Sequence, residues 1–252
     1  MDLTEYRNSD LEQKRIRDLI NLLPQHGGSV LDIGARDGYI SNLLTEFFDL
    51  VTALDLTTPD IRNEKVRCVK GDLTALDFPD GCFDFVLCAE VLEHIPPKVL
   101  GKACLELQRV TRGHLVVGVP FRQDIRVGRT TCSACGGKNP PWGHVNIFDK
   151  SRLKRLFPEM AIEKISLVGK NDSATNFLST YLMDLAGNPY GTYSQEELCV
   201  FCSSKLKAPA QRSYLQKAET RLALLINMMQ KPFIKAHPNW IHVLFTKETK
   251  AC

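Results

Sequence analysis

Two Cys-x-x-Cys pairs, Cys132-Ser-Ala-Cys135 and Cys199-Val-Phe-Cys202, have the spacing that speaks most directly of chemistry. Two intervening residues let both thiolates of a pair reach one tetrahedral ion at ~2.3 Å, and Gly136 and Gly137 ease the turn behind the first pair. The 63 residues between the pairs exceed the usual zinc-ribbon gap, but loop closure grows costly only logarithmically with length. One structural Zn2+ held by Cys132, Cys135, Cys199 and Cys202 is the expectation, with His144 able to replace one sulfur. Cys88 and Cys104 fall in apolar patterns and read as core; Cys68, Cys82 and Cys252 carry no signal.

A second concentration of reactive groups is Glu90-Val-Leu-Glu93-His94. It follows the apolar run Phe83–Ala89, at the carboxyl end of a strand, where open α/β sheets collect their ligands. His94, with an unperturbed pKa near ~6.5, suits a general base at neutral pH. Glu90 and His144 are the other catalytic candidates. Two carboxylates and two imidazoles (Glu90, Glu93, His94, His144) also make a donor set for Mg2+ or Mn2+ with positions open to a diol.

The third constellation is Val30-Leu-Asp32-Ile-Gly34-Ala35-Arg36-Asp37-Gly38, a buried strand breaking into a glycine-bearing turn before a helix. Asp55 ends the next strand, twenty-one positions after Gly34, a spacing suited to a carboxylate that accepts both hydroxyls of a ribose. A dinucleotide pyrophosphate wants G-x-G-x-x-G, whereas Arg36 stands at the central glycine and leaves G-x-x-x-G. The expected ligand is therefore an adenosine without a phosphate. These residues resemble the class I S-adenosylmethionine-dependent methyltransferases, and Phe83 to Pro96 (FDFVLCAEVLEHIP) is similar to the ubiquinone-biosynthesis-like (type 11) branch. The resemblance implies that Asp32, Gly34, Ala35, Arg36, Gly38, Asp55, Leu56, Asp72, Leu73, Ala89 and Glu90 line the S-adenosyl-L-methionine site, with Asp72 accepting from the adenine amine. Glu90, Glu93, His94 and His144 further resemble the metal set of the small-RNA 3′-terminal 2′-O-methyltransferases. Arg36 departs from the family, which often has glycine there.

The elements that must hold these groups alternate strand and helix. Strands are expected over 29–34, 51–56, 66–71, 83–89, 114–121, 162–168 and 240–246. Their near-continuous apolar runs mean burial on both faces, the mark of a parallel sheet covered by helices. Leu11, Ile16, Leu19, Ile20 and Leu23 recur at helical spacing behind Ser9 and Asp10, and the Pro24–Gly28 break ends that helix. Further helices are expected over 39–48, 99–110, 150–157 behind Asp149, and 211–229. The expected fold is an α/β, Rossmann-like, seven-stranded, mostly parallel sheet with helices on both faces. Residues 1–28 form an N-terminal cap helix and 29–252 the catalytic domain. Segments 122–148 and 170–238, too long for plain connections, form a zinc-stapled lid carrying Trp142-Gly143-His144.

At 252 residues with net charge +3, the chain suits one domain with an insertion and lacks the strong basicity of a dedicated nucleic-acid binder. From Ser203 to Cys252, nine Lys or Arg face only Glu219 and Glu248, so the tail is basic. No apolar run suggests a secretory signal or membrane span, which makes a cytoplasmic protein the expectation. O-methylation of a sugar or small metabolite is the expected activity, with a small-molecule or glycan partner to which Arg122, Arg126 and Arg129 offer charge. Methylation of an RNA 3′ end and a non-catalytic cofactor-binding scaffold are the alternatives.

Overall fold

The computed structural model describes residues 7–24 and 27–247. Gln25 and His26, within the break expected after the first helix, and Cys252 lie outside the described residues. The chain divides into two compact units, one of residues 122–147 and 170–237, the other holding the rest.

The larger unit is the sheet. Its strands are β1 (Gly27–Ile33), β2 (Phe48–Asp55), β3 (Val66–Lys70), β4 (Phe83–Ala89), β5 (Thr111–Pro120), β8 (Met160–Val168) and β9 (Trp240–Lys247), in the order β3-β2-β1-β4-β5-β9-β8. The first five are parallel, and β9 runs antiparallel to both neighbours. Consecutive residues feed opposite faces, as the period of a strand requires. In β4, Phe85 and Leu87 join one apolar cluster while Val86 and Cys88 join the other. Helix α1 (Asp10–Ile20) and α2 (Tyr39–Leu44) contribute Leu19 and Leu44 to the Phe85 side; α3 (Leu100–Val110) and α4 (Lys150–Leu156) cover the Val86 side with Leu107 and Leu153. The caps follow the local chemistry: Ser9 accepts from the Glu12 amide and Asp149 from the Arg152 amide.

Several boundaries differ from expectation. Helix α2 stops at Leu44, because the Thr45, Glu46 and Phe47 amides turn back to carbonyls three residues earlier and Phe48 pairs with Gly27 instead. Strand β5 starts at Thr111, where the Thr111 hydroxyl ties back to the Leu107 carbonyl and ends α3 directly into the strand.

The smaller unit holds a short hairpin, β6 (Thr130–Thr131) with β7 (Lys138–Asn139), and two packed helices, α5 (Phe177–Leu185) and α6 (Tyr214–Gln230). Asn176 caps α5, and Ser213 with Gln216 forms a capping box on α6. Its buried apolar cluster is small: Cys132, Cys199 and Leu206, with Tyr193 packed against them.

Candidate cofactor site and cysteine centre

In the sheet unit, the bend after β1 is built from left-handed residues. Gly34 has φ +75°, Arg36 +52° and Gly38 +78°. Arg36 thus takes the backbone conformation a glycine would supply, so the bend persists at a strain of about 1 kcal/mol or more. The Gly34 and Ala35 amides donate to the Leu54 carbonyl, which ties the bend to β2. Asp55, at the end of β2, accepts from the Arg36 amide at 2.9 Å and the Leu56 amide at 2.6 Å. Two backbone donors therefore fix its carboxylate, and Leu56 beside it is 68 % exposed, an uncovered apolar surface at the strand end. Gly34 is small of necessity: a Cβ there would lie 2.5 Å from Val91 Cγ2. That contact brings the bend against the turn that follows β4.

The other expected cofactor residues sit differently. Asp32 is buried, accepts from the Ser41 hydroxyl at 2.6 Å, and has its pKa pushed to about 7, chiefly by burial with the Asp55 charge adding. Asp72 Oδ1 takes both the amide and hydroxyl of Thr74 at 2.8 Å, which holds its pKa below the usual carboxylate value. Leu73 is core, and Ala89 ends β4 half-buried. Arg7, not anticipated from sequence, pairs with Asp37 at 2.5 Å and lies over the Tyr39 ring.

Glu90 has φ +57° and is engaged: Trp240 Nε1 donates to its Oε2 at 3.1 Å, and Arg15 lies 4.0 Å from Oε1. Arg15 is in turn doubly hydrogen-bonded to Glu12. Burial raises the Glu90 pKa against the pull of Arg15. Glu93 is fully buried, neither oxygen has a hydrogen-bond donor among the described residues, and burial followed by the Glu90 charge drives its pKa well above the carboxylate range. His94 is exposed, its amide bonded to the Val91 carbonyl. His144 belongs to the smaller unit, its Nδ1 2.6 Å from Gln123 Oε1.

In that smaller unit, all four cysteines of the two pairs meet. Their sulfurs lie within 4.8 Å of one another, with Cys132 to Cys202 at 3.7 Å and Cys135 to Cys199 at 3.6 Å. Four sulfurs at ~2.3 Å from one ion would be separated by about 3.8 Å in a tetrahedron. Each pair forms a tight knuckle: the Gly136 amide reaches the Cys132 carbonyl at 2.9 Å and the Ser203 amide the Cys199 carbonyl at 2.8 Å. The Ser204 hydroxyl and amide bring the Cys202 thiol down to about 6, favouring thiolate. Arg126 and Arg129, expected to offer charge to an acceptor, are paired instead with Asp124 and Asp184, both at 2.8 Å. They border a cleft of about 490 Å3 walled by Met183, Leu224 and Met228.

The seven-stranded, mostly parallel sheet with helices on both faces is the Rossmann-like fold of class I methyltransferases. Residues 31–117 match the family described as a methyltransferase domain, which identifies that stretch as an S-adenosylmethionine-dependent methyltransferase domain. Over 105 residues the chain is 28% identical to a ubiquinone biosynthesis O-methyltransferase of Albidiferax ferrireducens, covering 37% of this chain and 42% of that protein. The chain spans less than half the length of the curated relatives it matches. Among solved structures, the N-methyltransferase NodS of Bradyrhizobium japonicum shares the fold at TM-score 0.56 and 13% identity, over 96% of this chain and 99% of that one. The 1,6-didemethyltoxoflavin-N1-methyltransferase of Burkholderia thailandensis does so at 0.54 and 15%, over 97% and 81%. No helix among the described residues is long and apolar enough to cross a membrane.

Proposed function

We propose that the chain transfers the methyl group of S-adenosylmethionine to a hydroxyl oxygen of a small-molecule or glycan acceptor. The observation that carries this is the Asp55 carboxylate, fixed by the Arg36 and Leu56 amides at the lip of the Gly34–Gly38 bend. The two lone-pair directions those amides leave suit the two hydroxyls of a ribose. Asp72 Oδ2, uncommitted among the described residues, suits the adenine amine. The bound sulfonium supplies an already activated methyl group, so the protein's work is to orient an acceptor, exclude water and take up one proton. The exposed His94, on the turn after β4, is the group for that proton. Hydroxyl acceptors are favoured by the likeness to ubiquinone biosynthesis O-methyltransferases over 31–39% of the chain.

Calorimetry with S-adenosylhomocysteine, followed by an acceptor panel scored for homocysteine release, tests the reading. Micromolar binding and turnover on a hydroxyl compound are expected; a protein that ignores S-adenosylhomocysteine ends it. Product release that falls steeply with salt only on RNA ends would move the acceptor to nucleic acid. Binding without turnover on any acceptor would favour a scaffold.

We also propose that Cys132, Cys135, Cys199 and Cys202 hold one structural Zn2+, on the strength of their tetrahedral spacing. Metal analysis should find about one zinc per chain, lost in the Cys132→Ser, Cys199→Ser variant. A second reading concerns Glu93: two buried carboxylate oxygens without donors among the described residues call for either a bound proton or a cation. Activity abolished by chelation and restored by Mn2+ or Mg2+ would select the cation.

A further inference from the structure

The helix pair of the smaller unit is built inside out. Along α6, Leu215, Ala218, Leu222, Leu225 and Met229 recur at alternating spacings of three and four, so they form one stripe down the helix. That stripe faces solvent, with Leu215 69 % and Met229 66 % exposed. The buried positions are Thr220 and Ala223. Asn227 beside them accepts from the Thr175 and Ser179 hydroxyls, so the interior of the pair is small and polar. Helix α5 repeats the pattern: Ser179 is its buried residue, while Phe177 is 81 % exposed and stacks on the exposed Tyr181. Phe233, just beyond α6, is 84 % exposed. Soluble proteins seldom leave so much contiguous apolar surface in water without a use for it.

Charge decides what meets this surface. Residues 203–237 carry seven Lys or Arg against Glu219 alone. Lys217, Arg221, Lys231 and Lys235 are exposed, and at 100° per residue Lys217 and Arg221 border the α6 stripe on one side. A second copy docking through the same face would set two cationic segments against each other. An anionic lipid surface satisfies the apolar stripe and the cations together.

We propose that α5 and α6 dock this protein onto bilayers containing anionic lipids, with α6 lying in the interfacial plane, its Leu222, Leu225 and Met229 among the acyl chains and its lysines at phosphate level. The docking requires no spanning helix and is independent of the methyl-transfer reading.

The test is flotation of the full-length protein with vesicles of phosphatidylcholine alone or mixed with phosphatidylglycerol. Co-flotation is expected only with the anionic vesicles, and it should fall as salt is raised. Leu225→Glu with Met229→Glu should abolish it, and Lys217→Glu with Arg221→Glu should weaken it about tenfold or more. All four sites are exposed, so both variants should keep the wild-type melting curve, and S-adenosylhomocysteine affinity should be unchanged. Failure to float with anionic vesicles overturns the proposal, as does flotation that Leu225→Glu with Met229→Glu leaves intact. Light scattering that shows a dimer split by that same variant would make a second copy the occupant and overturn it equally.

Discussion

Replacing Asp55 by alanine removes the carboxylate proposed to hold the ribose hydroxyls of the cofactor. An ionised carboxylate offers about four lone-pair directions, of which the Arg36 and Leu56 amides take two. The remaining two are assigned to the ribose hydroxyls. A hydrogen bond to a charged group contributes ~1.5–3 kcal/mol, and because Asp55 is only half-buried the lower end applies. Two such bonds give about 3 kcal/mol, or roughly a 150-fold rise in the Kd for S-adenosylhomocysteine. Arg36 and Leu56 are exposed, so water can replace the carboxylate on their amides and the cost to folding should stay within about 1 kcal/mol. Asp55→Asn keeps one acceptor and places an NH2 where an acceptor stood, so it should fall between, at about tenfold. Titration calorimetry of wild type and both variants, each with S-adenosylhomocysteine and its 2′-deoxy analogue, separates the contact from general disturbance. Wild type should lose affinity for the deoxy analogue and Asp55→Ala should not distinguish the two ligands. If Asp55→Ala binds S-adenosylhomocysteine within about threefold of wild type, or if it still prefers the hydroxylated ligand as strongly, the assignment is wrong.

Asp32, buried with a pKa near 7, keeps in the folded state a proton that the unfolded chain loses near 3.8. Stability should therefore fall as pH rises from about 4 to 7, at up to ~1.4 kcal/mol per pH unit, and urea melts of Asp32→Asn should show a flatter profile across that window. Gly34→Ala sets a Cβ against Val91 at φ +75°, so it should cost about 2–3 kcal/mol, of which Val91→Ala recovers the steric share alone in thermal melts. If the four cysteines hold the proposed zinc, a chelator should expose residues 122–147 and 170–237 to protease while the sheet unit stays resistant, because Cys132 and Cys199 form most of the small unit's buried apolar cluster; uniform resistance would count against a metal-dependent core. Trp240→Phe leaves Glu90 without its indole donor and should lower stability by about 1–3 kcal/mol in chemical denaturation.

What could be read in advance follows from how local each feature is. β4 was legible because Phe85, Val86, Leu87 and Cys88 are all apolar, and a strand covered on both faces needs just that. The bend and Asp55 were legible because a glycine pair and a strand-end carboxylate are fixed by backbone geometry within some twenty residues. Helix α5 is not legible because periodicity reports burial, and Phe177, Leu178, Tyr181 and Leu185 are exposed while its one buried residue is Ser179. Glu90 reads from sequence as a catalytic and cofactor-lining candidate, and its bond to Trp240 is not legible there because the two lie 150 positions apart.

Arg36 leaves the bend after β1 intact. A glycine is called for at that position only if the chain must turn left-handed there, and Arg36 makes that turn at φ +52° while its amide holds Asp55. What the side chain changes is therefore the surface over the bend and not the path of the backbone. The strain of holding a non-glycine residue there is tolerable because Asp55 and the Gly34 and Ala35 bonds to Leu54 fix the residues around it. It follows that the carboxylate and the bend form one unit: loosening Asp55 should also relax Arg36, so the two positions should show non-additive effects in a double-mutant cycle with Arg36→Gly.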